Sequence, residues 1–335
     1  MISDNLILAR PMNSRRSLPE ISAGRLKPMK VFLSSTYDDL LEHRARAAQA
    51  VERLGQHGVR MEVFGARPGD ATGVSRDEID ASDAFLGIYA HRYGYVPEGS
   101  SISITEQEFN FAQERQKPTL CFLVDEEFPW SPKLIEGDPG QSKLKLFKQK
   151  VSTTFVRDTF TTPEDLAYKV ASSLGRFLIT RKVKEGLESI PAGDRVSTQQ
   201  GRDQVSRRAA RLQTLICGAR ILLVNDVPSE MQHVIAILRG LGVNVEVVTA
   251  TEEALSRLHQ DAYDVIVSDM RRGTSEDEGL KFLTRMRQDR IHRPTIFTVG
   301  GYQPDRGTPP YAFGITNRVD ELLNLLFDAI ERERG

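Results

Sequence analysis

Two aspartates in the C-terminal half of the chain stand at the ends of apolar runs, where carboxylates can do chemistry. Asp226 follows the run ILLVN, and Asp269 ends the run VIVSD. Carboxylates at the carboxyl ends of adjacent parallel strands can hold a divalent cation, which offsets the charge that builds up when a carboxylate attacks phosphorus. Asp269 as a mere turn residue at a strand end is the alternative, but clustered carboxylates favour a functional role.

The N-terminal half offers a second set of polar residues. Ser34, Ser35 and Thr36 follow the run KVFLS and precede a helical segment. Their hydroxyl and backbone N–H groups could hold a phosphate or a ribose. The competing interpretation is that Ser35 or Thr36 only caps the helix. Glu106 and Glu108 begin another helical segment, where the helix dipole alone favours glutamate.

Strand-like apolar runs alternate with helical segments along most of the chain, which is typical of parallel βαβ units. The first series starts at Lys30 and includes KVFLS, VRMEVF, AFLGIY, TLCFLV, a short strand near Thr153 to Val156 and a helix from Pro163 to Ile179. The second series consists of ARILLV, VNVEVV, DVIVSD, PTIFTV and AFGI. Continuous apolar strands imply sheets covered on both faces. We predict an α/β fold of two three-layer, flavodoxin-like parallel-sheet domains in tandem.

The length of 335 residues exceeds what one hydrophobic core usually organises, so two domains are expected. The opening stretch is rich in Pro, Ser and Arg without a sustained period, which predicts disorder. The stretch after residue 180 is basic and polar, with a Pro-Ala-Gly break and a helix after it, which predicts an interdomain linker. The predicted segments are a leader at 1–27, a domain at 28–180, the linker at 181–218 and a domain at 219–335.

The overall charge and composition exclude several classes of protein. There are 45 Lys and Arg residues and 46 Asp and Glu residues, so no global charge attracts nucleic acid or an anionic membrane. No run of about 18 apolar residues is present, and the two cysteines lack partners for a zinc site, so we expect a cytoplasmic protein without membrane contact. DNA binding is the least expected output, because no helix-turn-helix or basic stripe is visible.

The order ILLVNDVPSEMQHVIAILRGLG, VEVVTATEEALSRL, YDVIVSDM and PTIFTVGGY resembles the receiver domain of response regulators. In that family, an acidic pair after the first strand and an aspartate ending the third hold Mg²⁺, and this aspartate takes a phosphoryl group from a histidine kinase. The resemblance implies a phosphoacceptor at Asp269, a switch hydroxyl at Thr298 and a metal set of Asn225, Asp226, Asp269 and Arg271.

This sequence departs from the family pattern at three places. The first residue of the acidic pair is Asn225, which carries one charge fewer. The lysine near the end of the fifth strand is replaced by Asn317 or, at best, Arg318. The segment GGYQPDRGTPPYAF, at the place of the fourth helix, has three prolines and three glycines and cannot form a regular helix. A degenerate receiver that works by docking is therefore the alternative to a phosphorylated one.

The motifs SST, RYG and SITE, within Lys30 to Thr180, resemble a bacterial domain of unknown function related to TIR-like and nucleoside-deoxyribosyltransferase-like folds. In those relatives a glutamate, with an alanine four residues on and Lys-Pro before the next strand, acts on the anomeric carbon of a nucleoside or of NAD. The resemblance implies Glu108 as this residue, with Glu106 as its competitor. The implied nucleotide-binding residues are Ser34, Ser35, Thr36, Asp83, Arg92 and Tyr93.

Some of these residues also have purely structural interpretations. Arg92 could pair with Asp83, and Asp83 could be a turn former before the strand AFLGIY.

Together these patterns predict a bacterial signal-transduction protein of a phosphorelay. Its receiver-like domain would control a TIR-like domain that cleaves NAD or a nucleoside. The expected partners are a histidine kinase or another signalling protein, and a nucleotide ligand. The alternative is a docking adaptor without catalysis, with a degenerate receiver, in a signalling or defence complex.

Overall fold

A computed structural model describes most of the chain, namely residues 27–60, 71–155, 157–190, 198–301 and 307–335. It contains two five-stranded sheets in which every strand pair is parallel. This confirms the predicted fold class of two parallel-sheet α/β domains in tandem. The predicted leader lies, except for Lys27, outside the described residues. None of the described helices is long and apolar enough to cross a membrane.

The N-terminal sheet has the strand order β2-β1-β3-β4-β5. Its strands are β1 (Lys30–Ser35), β2 (His57–Val59), β3 (Ala84–Tyr89), β4 (Thr119–Val124) and β5 (Asp158–Phe160). Alternate side chains of β1 enter different clusters: Val31 and Leu33 pack in one and Phe32 in the other. The sheet is therefore buried on both faces, which explains why its strands read as continuous apolar runs.

In the part of the N-terminal domain that the structure describes, five helices pack around the sheet. They are α1 (Leu41–Arg53), α2 (Ala71–Asp80), α3 (Ile104–Glu114), α4 (Gly140–Thr154) and α5 (Pro163–Glu188). Ser103 caps α3 by accepting a hydrogen bond from the Glu106 N–H, and Thr162 caps α5 in the same way from Asp165. Pro163 is at the first position of α5, where its missing N–H leaves no helical hydrogen bond unmade.

Three predicted elements differ from those observed. The prediction of a strand near Thr153 to Val156 is wrong, because α4 continues to Thr154. The next strand is β5, which begins at Asp158. The expected helix from Pro163 to Ile179 continues to Glu188, since no Pro or Gly-rich turn stops it. Most of the predicted strand VRMEVF lies outside the described residues, and the observed β2 ends at Val59.

The C-terminal sheet has the strand order β10-β9-β8-β6-β7 in a flavodoxin-like arrangement. Its strands are β6 (Arg220–Val224), β7 (Asn244–Val248), β8 (Val265–Asp269), β9 (Thr295–Thr298) and β10 (Gly314–Thr316). Its helices are α8 (Gln232–Gly240), after a 3₁₀ turn at Pro228–Met231, α9 (Thr251–Gln260), α10 (Glu278–Gln288) and α11 (Val319–Arg334). The described residues between β9 and β10, namely 299–301 and 307–313, form no helix.

The segment predicted as a polar linker is largely helical in its described part. It contains the end of α5, α6 (Gln199–Arg211) and α7 (Gln213–Ile216), whereas residues 191–197 lie outside the described residues. Val183, Val205 and Ile216 are fully buried in the core of the C-terminal domain. Many charged residues between these apolar positions hid the helical period in the sequence. The domain boundaries stay a prediction, but this segment packs against the C-terminal domain.

Candidate functional site

The carboxyl edge of the C-terminal sheet brings the predicted acidic residues together. β6 and β8 are neighbours, with Val224 opposite Ser268, so the residues that follow them emerge side by side. β8 and β9 are also neighbours, and Asp269 is directly opposite Thr298. The strand order therefore places Asp226, Asp269 and Thr298 at one edge, where open α/β sheets bind ligands.

Hydrogen bonds orient the polar groups of this edge. The Thr298 hydroxyl donates to Asp269 Oδ1 at 3.3 Å, and the Met270 N–H donates to the same oxygen at 3.1 Å. Asp226 Oδ2 accepts a 2.7 Å hydrogen bond from the Gly273 N–H in the loop after β8. Asn225 is 3% exposed, and its Oδ1 accepts from the Val227 N–H at 2.7 Å. The Asp269 carboxylate and the Thr298 hydroxyl, the predicted acceptor and switch groups, are thus in contact.

Two consecutive arginines after β8 have different surroundings. The Arg271 side chain is exposed and lies 3.7 Å from the exposed carboxylate of Glu276, so the structure does not bring this predicted side chain into the acidic cluster. Arg272 is only 6% exposed. It donates to the Ser268 hydroxyl at 2.5 Å, to the Asp269 carbonyl at 2.8 Å and to the Thr251 hydroxyl at 2.8 Å.

Arg272 therefore fixes the backbone at the end of β8, a role that the sequence did not predict. Burial lowers the pKa of its guanidinium, and the negative charges of Glu278, Asp269 and Asp226 oppose this shift. Its hydrogen bonds join the end of β8 to the start of α9, which indicates a positioning role. The sequence offered only two adjacent arginines, and nothing in their spacing showed which one is buried.

The oxygen donors of this edge fit Mg²⁺ chemistry. Two carboxylates and one amide oxygen are hard ligands, which Mg²⁺ prefers over the nitrogen and sulfur ligands typical of zinc. Among the described residues, no group of three or more His, Cys, Asp and Glu side chains could hold a metal ion, which agrees with an acidic pair reduced to one aspartate. Asn225 offers a neutral amide oxygen where a carboxylate would add a negative charge. Bound waters normally complete the coordination shell of Mg²⁺.

In the N-terminal domain, the structure brings Ser34 and Glu108 together. Glu108 is 6% exposed, and its two oxygens accept hydrogen bonds from Ser34 at 2.7 Å and from Ser75 at 2.8 Å. Burial raises the pKa of this carboxyl, while the two serine hydrogen bonds and the Arg44 charge oppose the shift. The crevice beside it, lined by described residues of α2 and α3, leaves essentially no room for even a water molecule, so it is far too small for a nucleoside.

Glu106, the predicted competitor, has different partners. The Tyr93 hydroxyl donates to it at 2.7 Å, and the Lys150 ammonium lies 3.3 Å away. Burial, together with the hydrogen bond to Glu106, raises the pKa of Tyr93 to about 12. Because the Tyr93 ring is 2% exposed, it packs inside the domain and does not present a face on which a base could stack.

Ser35 and Thr36 form contacts other than the predicted helix cap. The Arg44 guanidinium donates to the Ser35 hydroxyl at 2.6 Å, and the Thr36 hydroxyl donates to Asp39 at 2.5 Å. The N-cap of α1 is Leu40, without a side-chain hydrogen bond. The capping alternative is therefore wrong, because the chain makes an additional turn before α1 begins.

The last two predicted nucleotide-binding residues, Asp83 and Arg92, lie at different edges of the sheet. The Arg92 guanidinium lies 3.5 Å from Asp38, not beside Asp83. Asp83 accepts a 2.9 Å hydrogen bond from the Lys30 N–H at the start of β1, which is the edge opposite to Ser34 and Glu108. Asp83 thus aligns two strand starts and cannot join a ligand at the carboxyl edge.

Two known protein families match separate parts of the chain. Residues 30–175 match the family described as "Domain of unknown function (DUF4062)", and residues 221–307 match the response regulator receiver domain. The C-terminal domain is therefore a receiver domain, as the sequence predicted. The function of the N-terminal family is unknown, and nothing in the comparisons confirms a TIR-like or deoxyribosyltransferase-like relationship.

Individual relatives each match about a third of the chain. The transcriptional regulatory protein TrcR of Mycobacterium tuberculosis is 31% identical over 120 residues, which are 35% of this chain and 44% of that protein. The chain thus spans less than half of that relative. CheY4 of Vibrio cholerae is 24% identical, with a TM-score of 0.30, and covers 33% of this chain and 98% of its own. The response regulator TrrA of Thermotoga maritima, solved in complex with Mg²⁺-BeF, is 20% identical, with a TM-score of 0.29. The match covers 33% of this chain and 98% of that chain.

Proposed function

We propose that this chain is a phosphorelay protein whose receiver domain accepts a phosphoryl group on Asp269. The observation that carries the proposal is the contact between the Thr298 hydroxyl and the Asp269 carboxylate, with Asp226 at the same sheet edge. A receiver domain supports a role in signal transduction. A histidine kinase is the proposed phosphoryl donor, and such a donor would place the protein in the cytoplasm.

The chain's own residues perform the following roles in this proposal. An oxygen of Asp269 attacks phosphorus, a new O–P bond forms, and the bond between phosphorus and the donor breaks, so that the donor leaves with its electron pair. Asn225, Asp226 and Asp269 would hold Mg²⁺, which would supply charge neutralisation. Arg272 holds the Asp269 carbonyl in place. The Thr298 hydroxyl is free to donate to a phosphoryl oxygen once its present acceptor is esterified.

The experiment is a phosphorylation assay on the full chain. Acetyl phosphate with Mg²⁺ should add one phosphoryl group, read by intact-mass spectrometry. Asp269→Asn should abolish the addition, whereas Asp277→Asn, at an exposed aspartate of the same loop that pairs with Lys281, should leave it unchanged. Equal addition to wild type and to Asp269→Asn would refute the assignment of the phosphoacceptor.

The second candidate is a receiver that docks without being phosphorylated. Two observations favour it: an amide replaces one carboxylate at Asn225, and Arg318, the cation that could stand for the family's lysine, is bound to Asp320 at 2.6 Å. Docking without phosphorylation is supported if acetyl phosphate with Mg²⁺ leaves the mass of the protein unchanged. In that case the hydrogen exchange of the loop after β8 should also stay unchanged.

The N-terminal domain is proposed as the part that the receiver controls. Cleavage of NAD or of a nucleoside by Glu108 stays a prediction that the comparisons do not support. A nucleotide ligand is likewise unsupported. This proposal is supported by the presence of the domain and the receiver in one chain.

A further inference from the structure

One helix contributes side chains to the hydrophobic cores of both domains. The first half of α5 buries Leu166, Val170 and Leu174 against the N-terminal sheet. The second half buries Val183 and Leu187 in the core of the receiver domain. All five side chains are essentially inaccessible to solvent. α5 is therefore a structural part of both domains and not a tether between them.

The change from one core to the other happens within a single peptide unit. Phe177 and Leu178 pack against the N-terminal core, and the next residue, Ile179, packs against the receiver core. The helix is uninterrupted there, since α5 runs from Pro163 to Glu188. No spacer separates the two packing surfaces, so bending α5 at this point would pull apolar side chains out of one core or the other.

The receiver holds the second half of α5 at close range. A Cβ built on Gly186 would lie 2.6 Å from the Ile237 side chain, so the backbone of α5 approaches α8 as closely as a glycine permits. The Lys182 ammonium donates to the Gly240 carbonyl at the end of α8, at 3.0 Å. On the neighbouring side, Arg208 of α6 pairs with Asp328 and with Glu331 of α11.

The helices α5 and α6 thus pack against α8 and α11 of the receiver. We propose that this packing couples the stabilities of the two domains. A change in the stability of the receiver then changes the stability of the N-terminal domain, because both share α5. The coupling does not depend on phosphorylation, so it can hold even if the phosphoacceptor assignment fails.

The test uses the only tryptophan of the chain as a reporter of the N-terminal domain. Trp130 packs against the N-terminal core, so in urea titrations of the full chain its fluorescence should report the unfolding of the N-terminal domain. Leu222→Ala and the milder Ile266→Val weaken the receiver on the sheet face away from α5, in a cluster that contains no residue of α5. Both variants should lower the urea midpoint of the Trp130 signal, the first more than the second.

A break in α5 should remove this effect. Thr180→Pro takes away a helical N–H and clashes with the preceding turn, whereas Thr180→Ala is a matched control that keeps the helix. In the Thr180→Pro background, Leu222→Ala should no longer shift the Trp130 midpoint, while in the Thr180→Ala background it should. If Leu222→Ala and Ile266→Val leave the Trp130 midpoint unchanged while far-UV circular dichroism shows the receiver unfolding earlier, the coupling is refuted, even if Thr180→Pro does not fold.

Discussion

The Arg318 guanidinium binds Asp320 through two hydrogen bonds, from Nη2 at 2.6 Å and from Nε at 3.2 Å. Asp320 is 2% exposed, and it is in the first turn of α11, where a negative charge is favoured by the helix dipole. The pKa of Arg318 is raised, mainly by this hydrogen bond. Arg318, which could stand for the lysine of receiver domains, is thus bound to the start of α11.

We therefore expect Arg318→Ala to leave phosphoryl transfer to Asp269 unchanged. The guanidinium is held by Asp320 and does not stabilise a phosphoryl group, so its removal should change stability and not chemistry. The rate of phosphoryl uptake from acetyl phosphate, measured by intact mass, checks this. A large loss of uptake in Arg318→Ala, with an unchanged melting temperature, would show that the arginine turns toward the phosphoryl group.

Asn225→Asp should strengthen Mg²⁺ binding by roughly tenfold, equivalent to about 1.4 kcal/mol, because it restores a carboxylate to the donor set. The new carboxylate can still accept the Val227 N–H bond that Asn225 accepts now. Isothermal titration calorimetry with MgCl₂ measures the effect. Asn244→Asp, at an exposed position at the start of β7, is the control and should have no effect. Identical Mg²⁺ affinities in all three proteins would mean that Asn225 is not a ligand.

Glu108→Gln should change the pH dependence of stability. Burial raises the pKa of Glu108 in the folded state, so the folded protein holds this proton more tightly than the unfolded chain. The stability of the wild type therefore falls as pH rises from about 4.3, the ordinary value for glutamate, through the raised pKa, and the neutral amide should not show this fall. Urea unfolding between pH 4 and pH 8 measures the difference.

Glu127→Gln, at an exposed glutamate, is the control for this experiment and should follow the wild type at every pH. The same Glu108→Gln protein tests the N-glycosidase prediction. Any release of nicotinamide or of a base by the wild type should be lost in the variant. The amide keeps the shape of the side chain but removes the negative charge that would stabilise an oxocarbenium ion. Turnover that is equal in both proteins would contradict a catalytic role of Glu108.

Arg208→Gln should loosen α6 from α11. The arginine is largely buried between two half-exposed carboxylates, Asp328 and Glu331, so we expect a stability loss of about 1 kcal/mol after allowance for solvent screening. Trypsin should then cut α6 faster, as followed by gel electrophoresis and mass spectrometry. Arg207→Gln, at a neighbouring exposed arginine, is the matched control. Equal rates of cleavage in both variants would show that the pairs with α11 do not hold α6.

Most of the architecture followed from the sequence, since strands buried on both faces must be continuous apolar runs. ILLV and VIVSD predicted neighbouring strands, and their ends correctly predicted that Asp226 and Asp269 share an edge. The resemblance to receiver domains implied Thr298, and the structure places it at the same edge, opposite Asp269. These predictions concern residues that follow strand ends, and the carboxyl ends of parallel strands in one sheet meet at the same edge.

The tertiary structure alone decided the contacts made across the surfaces of elements. These contacts depend on side-chain directions that spacing along the sequence does not reveal. Examples are the Ser75 hydrogen bond to Glu108, the burial of Arg272 but not of Arg271, and the bond between Arg318 and Asp320. The helical nature of the segment after residue 180 was hidden for a related reason. Its apolar positions are sparse among charged ones, and they become a buried stripe only when α8 and α11 of the receiver are there to cover them.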